Sequence, residues 1–188
     1  VTTTPALPSA DAAGERRSGE RLVFERVLQD HTPFVWRALR RLGVRAADVE
    51  DVCQEVFVTV HRRLATFEGR SSLRAWIYGV CVRTAAAYRA RRRRMPEVEG
   101  DATEASVPPH QMEDLERRRA LAALDVILDR LDDKKRAVFV LYEIEGLPMA
   151  EVAEAVGCPV QTAYARLYAA RERFDDAVRR AQAAGRIP

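Results

Sequence analysis

A chain of 188 residues that is 47% hydrophobic and 31% charged can bury one core or two small ones and falls in the globular range, which excludes disorder throughout. No apolar run approaches the roughly 18 to 20 residues a membrane helix needs, and Val1–Gly19 lacks the apolar stretch of a signal peptide; the expectation is a cytoplasmic protein with no membrane insertion. Net charge is only +3, so the placement of the charges along the chain says more than their sum.

Residues 1–19, rich in Thr, Ala, Pro and Ser, are expected to form a disordered tail. The first domain, residues 20–95, carries three helical patterns. Arg21–Leu42 places Leu22, Val23, Val27, Phe34, Val35, Ala38, Leu39 and Leu42 near helical spacing, and Gly43 ends it. Ala46–Leu64 follows the i, i+3, i+4, i+7 rule through Val49, Val52, Cys53, Val56, Phe57, Val60 and Leu64, which predicts an amphipathic helix with one buried face. Its other face begins acidic, with Asp48, Asp51 and Glu55 three and four apart, a surface suited to a basic partner helix or equally an ordinary solvated face. A third helix follows "FEGRSSLRAW", capped by Ser71 or Ser72.

From Val82 to Pro96 the chain carries Arg83, Arg89 and Arg91–Arg94 with no acid, whereas Glu97–Glu116 carries seven acids and no Lys or Arg. That switch, with Gly100, Pro108 and Pro109, marks residues 96–112 as an acidic, flexible linker. Beyond it, residues 113–188 form a second domain, with helical stretches at Met112–Leu131, Lys134–Glu145, Met149–Val156 and Val160–Ala181. No strand pattern competes, so the fold class is all-α, two small helical bundles joined by the linker.

Within the second bundle, Gly157-Cys158-Pro159 breaks one helix and Val160 starts another. Gly157 supplies a positive φ and Pro159 blocks continuation of the first helix. A helix-turn-helix results, with Val160, Ala163, Leu167, Ala170 and Phe174 on one side and Gln161, Thr162, Tyr164, Ala165 and Tyr168 outward; Arg166 and Arg171 are placed to reach phosphates. An ordinary antiparallel helix pair shares this spacing.

No catalytic constellation stands out: His31, His61 and His110 are scattered, no Gly-rich phosphate loop occurs, and the acids lie on helix surfaces. Cys53 and Cys81 fall on apolar stripes and Cys158 in the helix break, with no CxxC pair, so buried thiols are expected and neither a metal nor a cofactor.

The stretches "DVEDVCQEVFVTVHRRLATFEGRSSLRAWIYGVCVRTAAAYRARRRR" and "LDRLDDKKRAVFVLYEIEGLPMAEVAEAVGCPVQTAYARLYAARERF" resemble the two regions of bacterial extracytoplasmic-function RNA polymerase sigma factors, in family order with a linker between. The resemblance implies a dissociable subunit that binds core RNA polymerase, selects promoters and helps open them, and that an anti-sigma factor commonly restrains. It carries over core-polymerase binding to Asp48, Asp51, Gln54 and Glu55. Capture of the unpaired minus-ten strand falls to Arg70, Ser71, Ser72 and Arg74 as a base pocket, with Trp76 and Tyr78 for stacking or wedging, and Arg83, Arg89 and Arg91, Arg92, Arg93 and Arg94 along the phosphates. Reading of the duplex minus-thirty-five element falls to Gln161, Thr162, Tyr164, Ala165, Arg166, Tyr168 and Arg171. Here the chain departs from the family, whose recognition helix usually begins Gly-Thr-Val-Lys-Ser-Arg: it has Gln161-Thr162-Ala163-Tyr164-Ala165-Arg166, with Ala169 where a cation is common. Weaker duplex affinity or an unusual promoter sequence is the implied consequence. The alternative is a stand-alone helix-turn-helix regulator that never contacts polymerase.

Overall fold

The structure, a computed structural model, describes residues 10–94 and 112–184, and among these there is no strand. Helix α1 spans Ala10–Arg41, α2 Val49–Arg63 and α3 Leu73–Arg94; α4 spans Met112–Leu128, α5 Asp133–Phe139, α6 Met149–Val156 and α7 Val160–Ala183. Helix α1 begins at Ala10, so residues 10–19 of the expected unstructured tail are helical. The acidic linker lies outside the described residues apart from Met112, the first residue of α4.

Each bundle forms as the periodicity requires. Along α2, Val49, Val52, Cys53, Val56, Phe57 and Val60 are all buried against α1 and α3. Full burial of each such aliphatic side chain contributes about 1.5–3 kcal/mol. Ser72 caps α3, its hydroxyl accepting from the Ala75 amide at 3.2 Å, and Asp132 caps α5 by accepting from the Lys135 amide at 3.0 Å. At the end of α6 Gly157 takes φ +67°, and the Cys158 and Gly157 amides donate to the carbonyls of Ala153 and Glu154. This left-handed stop satisfies two of the helix's orphan carbonyls and aims α7 away.

Helix α5 does not end as an α-helix. Val140–Ile144 widens into a π turn whose last bond runs from the Glu145 amide to the Val140 carbonyl. Such turns are rare, cluster at functional sites, and shift the side chains that follow them around the axis; the side chain shifted here is Glu145.

The two bundles pack on one another. Helix α3 crosses α6 so closely that a Cβ on Gly79 would lie 3.2 Å from the Ala155 carbonyl oxygen, and one buried cluster runs through both bundles. Arg136 of α5 is 1% exposed; its guanidinium donates to the Arg41 carbonyl at the end of α1 and pairs with Asp129. Burial pulls its pKa down, and the Asp129 carboxylate opposes that pull. Arg40 adds an ion pair to Asp125 at 3.1 Å.

Candidate nucleic-acid and partner interfaces

The acidic start of α2 is an asymmetric patch. Asp51, Gln54 and Glu55 are exposed, whereas Asp48 is half-buried, accepts the Tyr88 hydroxyl and lies 3.9 Å from Arg92. Arg91 reaches Glu55 at 3.4 Å, so the arginine run of α3 borders the patch. Gln54 faces a groove of about 690 Å³ between α1 and α2, lined by Phe24, Leu28, Trp36, Phe57 and Val58. Trp36 is 40% exposed and Val58 49%. Periodicity alone does not single out either residue, although an outward Val58 breaks the polar face of α2 four residues after Gln54.

The residues assigned to the unpaired strand divide into two groups. Arg70, Ser71 and Trp76 gather around a recess of about 190 Å³ with Phe67, whose ring lies 5.4 Å from that of Trp76. Glu154 of the second bundle also lines this recess, and Ser72, Arg74 and Tyr78 turn to that bundle. The Ser72 hydroxyl donates to Glu151 at 2.8 Å, and Ser71 meets Glu154 at 3.3 Å. Tyr78 is fully buried and donates its hydroxyl to Glu145, which Arg74 also reaches at 3.2 Å and Arg41 at 2.5 Å. Burial pushes the Tyr78 phenol far above the usual tyrosine range, so it stays a donor. The Arg74 guanidinium lies over the rings of Phe34 and Tyr78, 5.3 and 5.7 Å from their centroids.

The arginines of α3 face several directions. Arg89 and Arg93 share Asp133 of α5 at 2.8 and 3.2 Å, Arg91 and Arg92 face the α2 acids, and Arg83 and Arg94 are exposed. Arg63 nearby and partial burial both weigh against the charge of Arg83, burial the more.

Helices α6 and α7 form the expected helix-turn-helix. Ala163, Leu167 and Ala170 are buried, and Phe174 stacks on Phe139 with centroids 4.7 Å apart. Val160, expected on the apolar side, is 38% exposed, because the first turn of α7 projects past the core. Gln161, Tyr164, Ala165 and Tyr168 are exposed as expected, while Thr162, Arg166 and Ala169 are half-buried. Tyr164 and Tyr168 stack with centroids 6.4 Å apart, and Arg171 lies over Tyr168 while pairing with Glu143 at 2.6 Å. Arg166 lies across a cleft from Lys134 and Lys135 of α5 and Arg89 and Arg93 of α3. Cys53 and Cys81 are buried and Cys158 half-buried, all as free thiols. No described helix is long and apolar enough to cross a membrane.

Comparison with known proteins matches residues 27–95 to Sigma-70 region 2 and residues 121–174 to Sigma-70, region 4. The ECF RNA polymerase sigma-E factor of Escherichia coli (strain K12) is 34% identical over 148 residues, 72% of this chain and 76% of that one. The RNA polymerase sigma-H factor of Pseudomonas aeruginosa is 29% identical over 170 residues, 85% and 88% of the two chains. Among solved structures, CnrH in complex with the cytosolic domain of CnrY superposes with a TM-score of 0.64 at 25% identity, covering 88% of this chain and 94% of that one. The sigma factor RpoE of Bartonella quintana, in complex with the anti-sigma factor NepR, shares the fold with a TM-score of 0.65 at 22% identity, over 83% and 96% of the chains.

Proposed function

The chain belongs to the extracytoplasmic-function sigma factor family, and from that premise we propose which of its surfaces perform the family's task. As a sigma factor it binds core RNA polymerase, directs it to promoters and takes part in opening them; the family comprises transcription initiation factors rather than catalysts. The reading includes action in the cytoplasm, where the polymerase works, and no enzymatic activity of its own.

Core polymerase docks on Asp48, Asp51, Gln54 and Glu55 together with the apolar groove at Trp36 and Val58. An acidic rim beside exposed apolar side chains fits a basic amphipathic helix better than charge alone would. The recess formed by Phe67, Arg70, Ser71 and Trp76 holds a base flipped from the minus-ten strand, with Ser72, Arg74 and Tyr78 along the strand beside it. Arg83, Arg89 and Arg91–Arg94 follow phosphates, which requires Arg89, Arg91, Arg92 and Arg93 to exchange their present carboxylate partners for DNA. The outward face of α7 reads the minus-thirty-five duplex, with Gln161 and Thr162 at base edges, Tyr164, Ala165 and Tyr168 against the groove wall, and Arg166 and Arg171 on the backbone. An anti-sigma factor is the further partner, supported by CnrH and the Bartonella protein each being solved with a partner bound.

The observation that carries this reading is the joint presence, in one chain and in family order, of the acidic-faced α2, the recess at Trp76 and the outward face of α7. Capture of core RNA polymerase by the purified chain, followed by run-off transcription, tests it. Transcription dependent on the chain is the expected result; duplex binding without any polymerase capture would support the stand-alone regulator instead.

A further inference from the structure

Glu145 is held in a way an incidental surface acid is not. Its side chain is 4% exposed, and three donors converge on its two oxygens: Arg41 on Oε1 at 2.5 Å, Arg74 on Oε2 at 3.2 Å, and the Tyr78 hydroxyl on Oε2. A buried carboxylate is costly unless it is paired and hydrogen-bonded, and here it is both. All three donors belong to the first bundle, from the end of α1 and the first turns of α3, whereas the acceptor comes from the second and is aimed by the π turn that precedes it. Because all three donors sit on packed helices of one bundle, withdrawal of the second bundle would leave two guanidinium charges and a phenol facing the place Glu145 now fills.

The same relation repeats along the interface. Glu151 and Glu154, one turn apart on α6, accept from Ser72 and Ser71. Three carboxylates of the second bundle therefore cover, in a row, the face of the first that the functional reading gives to the unpaired strand. A phosphodiester presents two anionic oxygens that accept from paired guanidinium donors as a carboxylate does. A row of carboxylates on one side of a basic, hydroxyl-lined face thus satisfies the donors that a nucleic-acid backbone would.

We propose that Arg41, Arg74 and Tyr78 form a phosphate pocket for the unpaired promoter strand, and that Glu145 fills this pocket in the closed chain as a stand-in for the phosphate. The second bundle and the strand then compete for one set of donors, and the chain binds single-stranded DNA only when α6 and Glu145 withdraw. Arg41 becomes a strand-binding residue that the sequence motif does not contain. The proposal rests on the reading of the first bundle as the strand-holding domain.

The test uses the full chain without polymerase and a fluorescein-labelled oligo-dT of roughly twelve nucleotides, within the range of single-strand site sizes. Glu145→Gln keeps the size and removes the charge; it is expected to tighten oligo-dT binding about tenfold. Adding Arg41→Ala to Glu145→Gln is expected to return affinity to the wild-type level and to lower the salt slope by about 0.7, the value of one phosphate contact on a single strand. Unchanged affinity in Glu145→Gln, or a gain that survives Arg41→Ala, overturns the pocket. A second measurement needs no variant: saturating oligo-dT must speed amide exchange in residues 149–156 of the wild-type chain, and no change there overturns the competition. Run-off transcription by wild-type holoenzyme is scored separately. Its absence would sink the sigma-factor assignment of the faces, whereas its presence with a failed oligo-dT series sinks only the pocket.

Discussion

Asp48 and its neighbours on α2 differ in what a substitution would disturb. Asp51 and Glu55 are exposed, and Glu55 has only a 3.4 Å surface pair with Arg91, the kind of interaction worth well under about 1 kcal/mol. Asp51→Lys with Glu55→Lys should therefore lower affinity for core polymerase at least about tenfold while moving the melting temperature by only about 2 °C, measured by binding anisotropy and thermal circular dichroism. Asp48 accepts the hydroxyl of the buried Tyr88, so Asp48→Ala should also cost about 1–2 kcal/mol of stability. On α7 the outward Tyr164 stands where the family places a lysine. Tyr164→Lys should tighten minus-thirty-five duplex binding by about 0.5–1 kcal/mol and steepen the salt slope by about one unit. Gln161→Ala should relax preference at one base position, costing about 1–3 kcal/mol on the preferred sequence if Gln161 pairs with its base in bidentate fashion. A randomised duplex library separates the two effects, and indifference to both changes would remove α7 from the DNA interface.

At the scale of elements, α3 does two jobs on different faces. It packs α1 and α2 to complete the first bundle, and through Gly79 it lies against α6. A side chain at position 79 meets Ala155 backbone atoms at 3.2 and 3.4 Å, which cannot swing aside as a flexible side chain would. Gly79→Val should consequently part α3 from α6 while each bundle keeps its own helices. The expected signature is a radius of gyration larger by several ångströms in small-angle scattering with the helical circular dichroism signal retained. A compact variant would mean that the crossing is not what holds the bundles together.

For the whole molecule, the arrangement of charge decides more than its total. The arginine run is engaged at both of its borders, with Arg91 and Arg92 toward the α2 acids and Arg93 toward Asp133 of the second bundle. These partly exposed pairs are weak and exchangeable, so a polyanion can displace them. Replacing Arg91–Arg94 with Ala should weaken promoter binding by the holoenzyme similarly across sequences and flatten its salt dependence by about 0.7 for each phosphate of the unpaired strand that is no longer neutralised. A slope that stays unchanged would leave the run as a solvated helix end.

What the sequence determined by itself is local. The spacing of Val49, Val52, Val56 and Val60 requires a helix with one buried face, and the structure buries all four; Gly157 before Cys158-Pro159 requires a left-handed stop, and φ there is +67°. Most of the outward and inward sets on α7 follow from the same 3.6-residue period; it misplaces Val160, which is exposed, and Thr162, which is half-buried. The packing of the bundles on each other was decided by tertiary structure alone. Arg41, Arg74 and Tyr78 meet Glu145 across 104, 71 and 67 residues of sequence, and such polar long-range pairs repeat with no period. Arg136 sits in a stretch, Asp132–Arg136, that reads as solvent-exposed, yet it is buried because the carbonyl end of α1 comes within reach of its guanidinium. Helical spacing reports which face a helix buries against its own bundle; which partner then covers the remaining polar face depends on donors and acceptors that only the folded chain brings together.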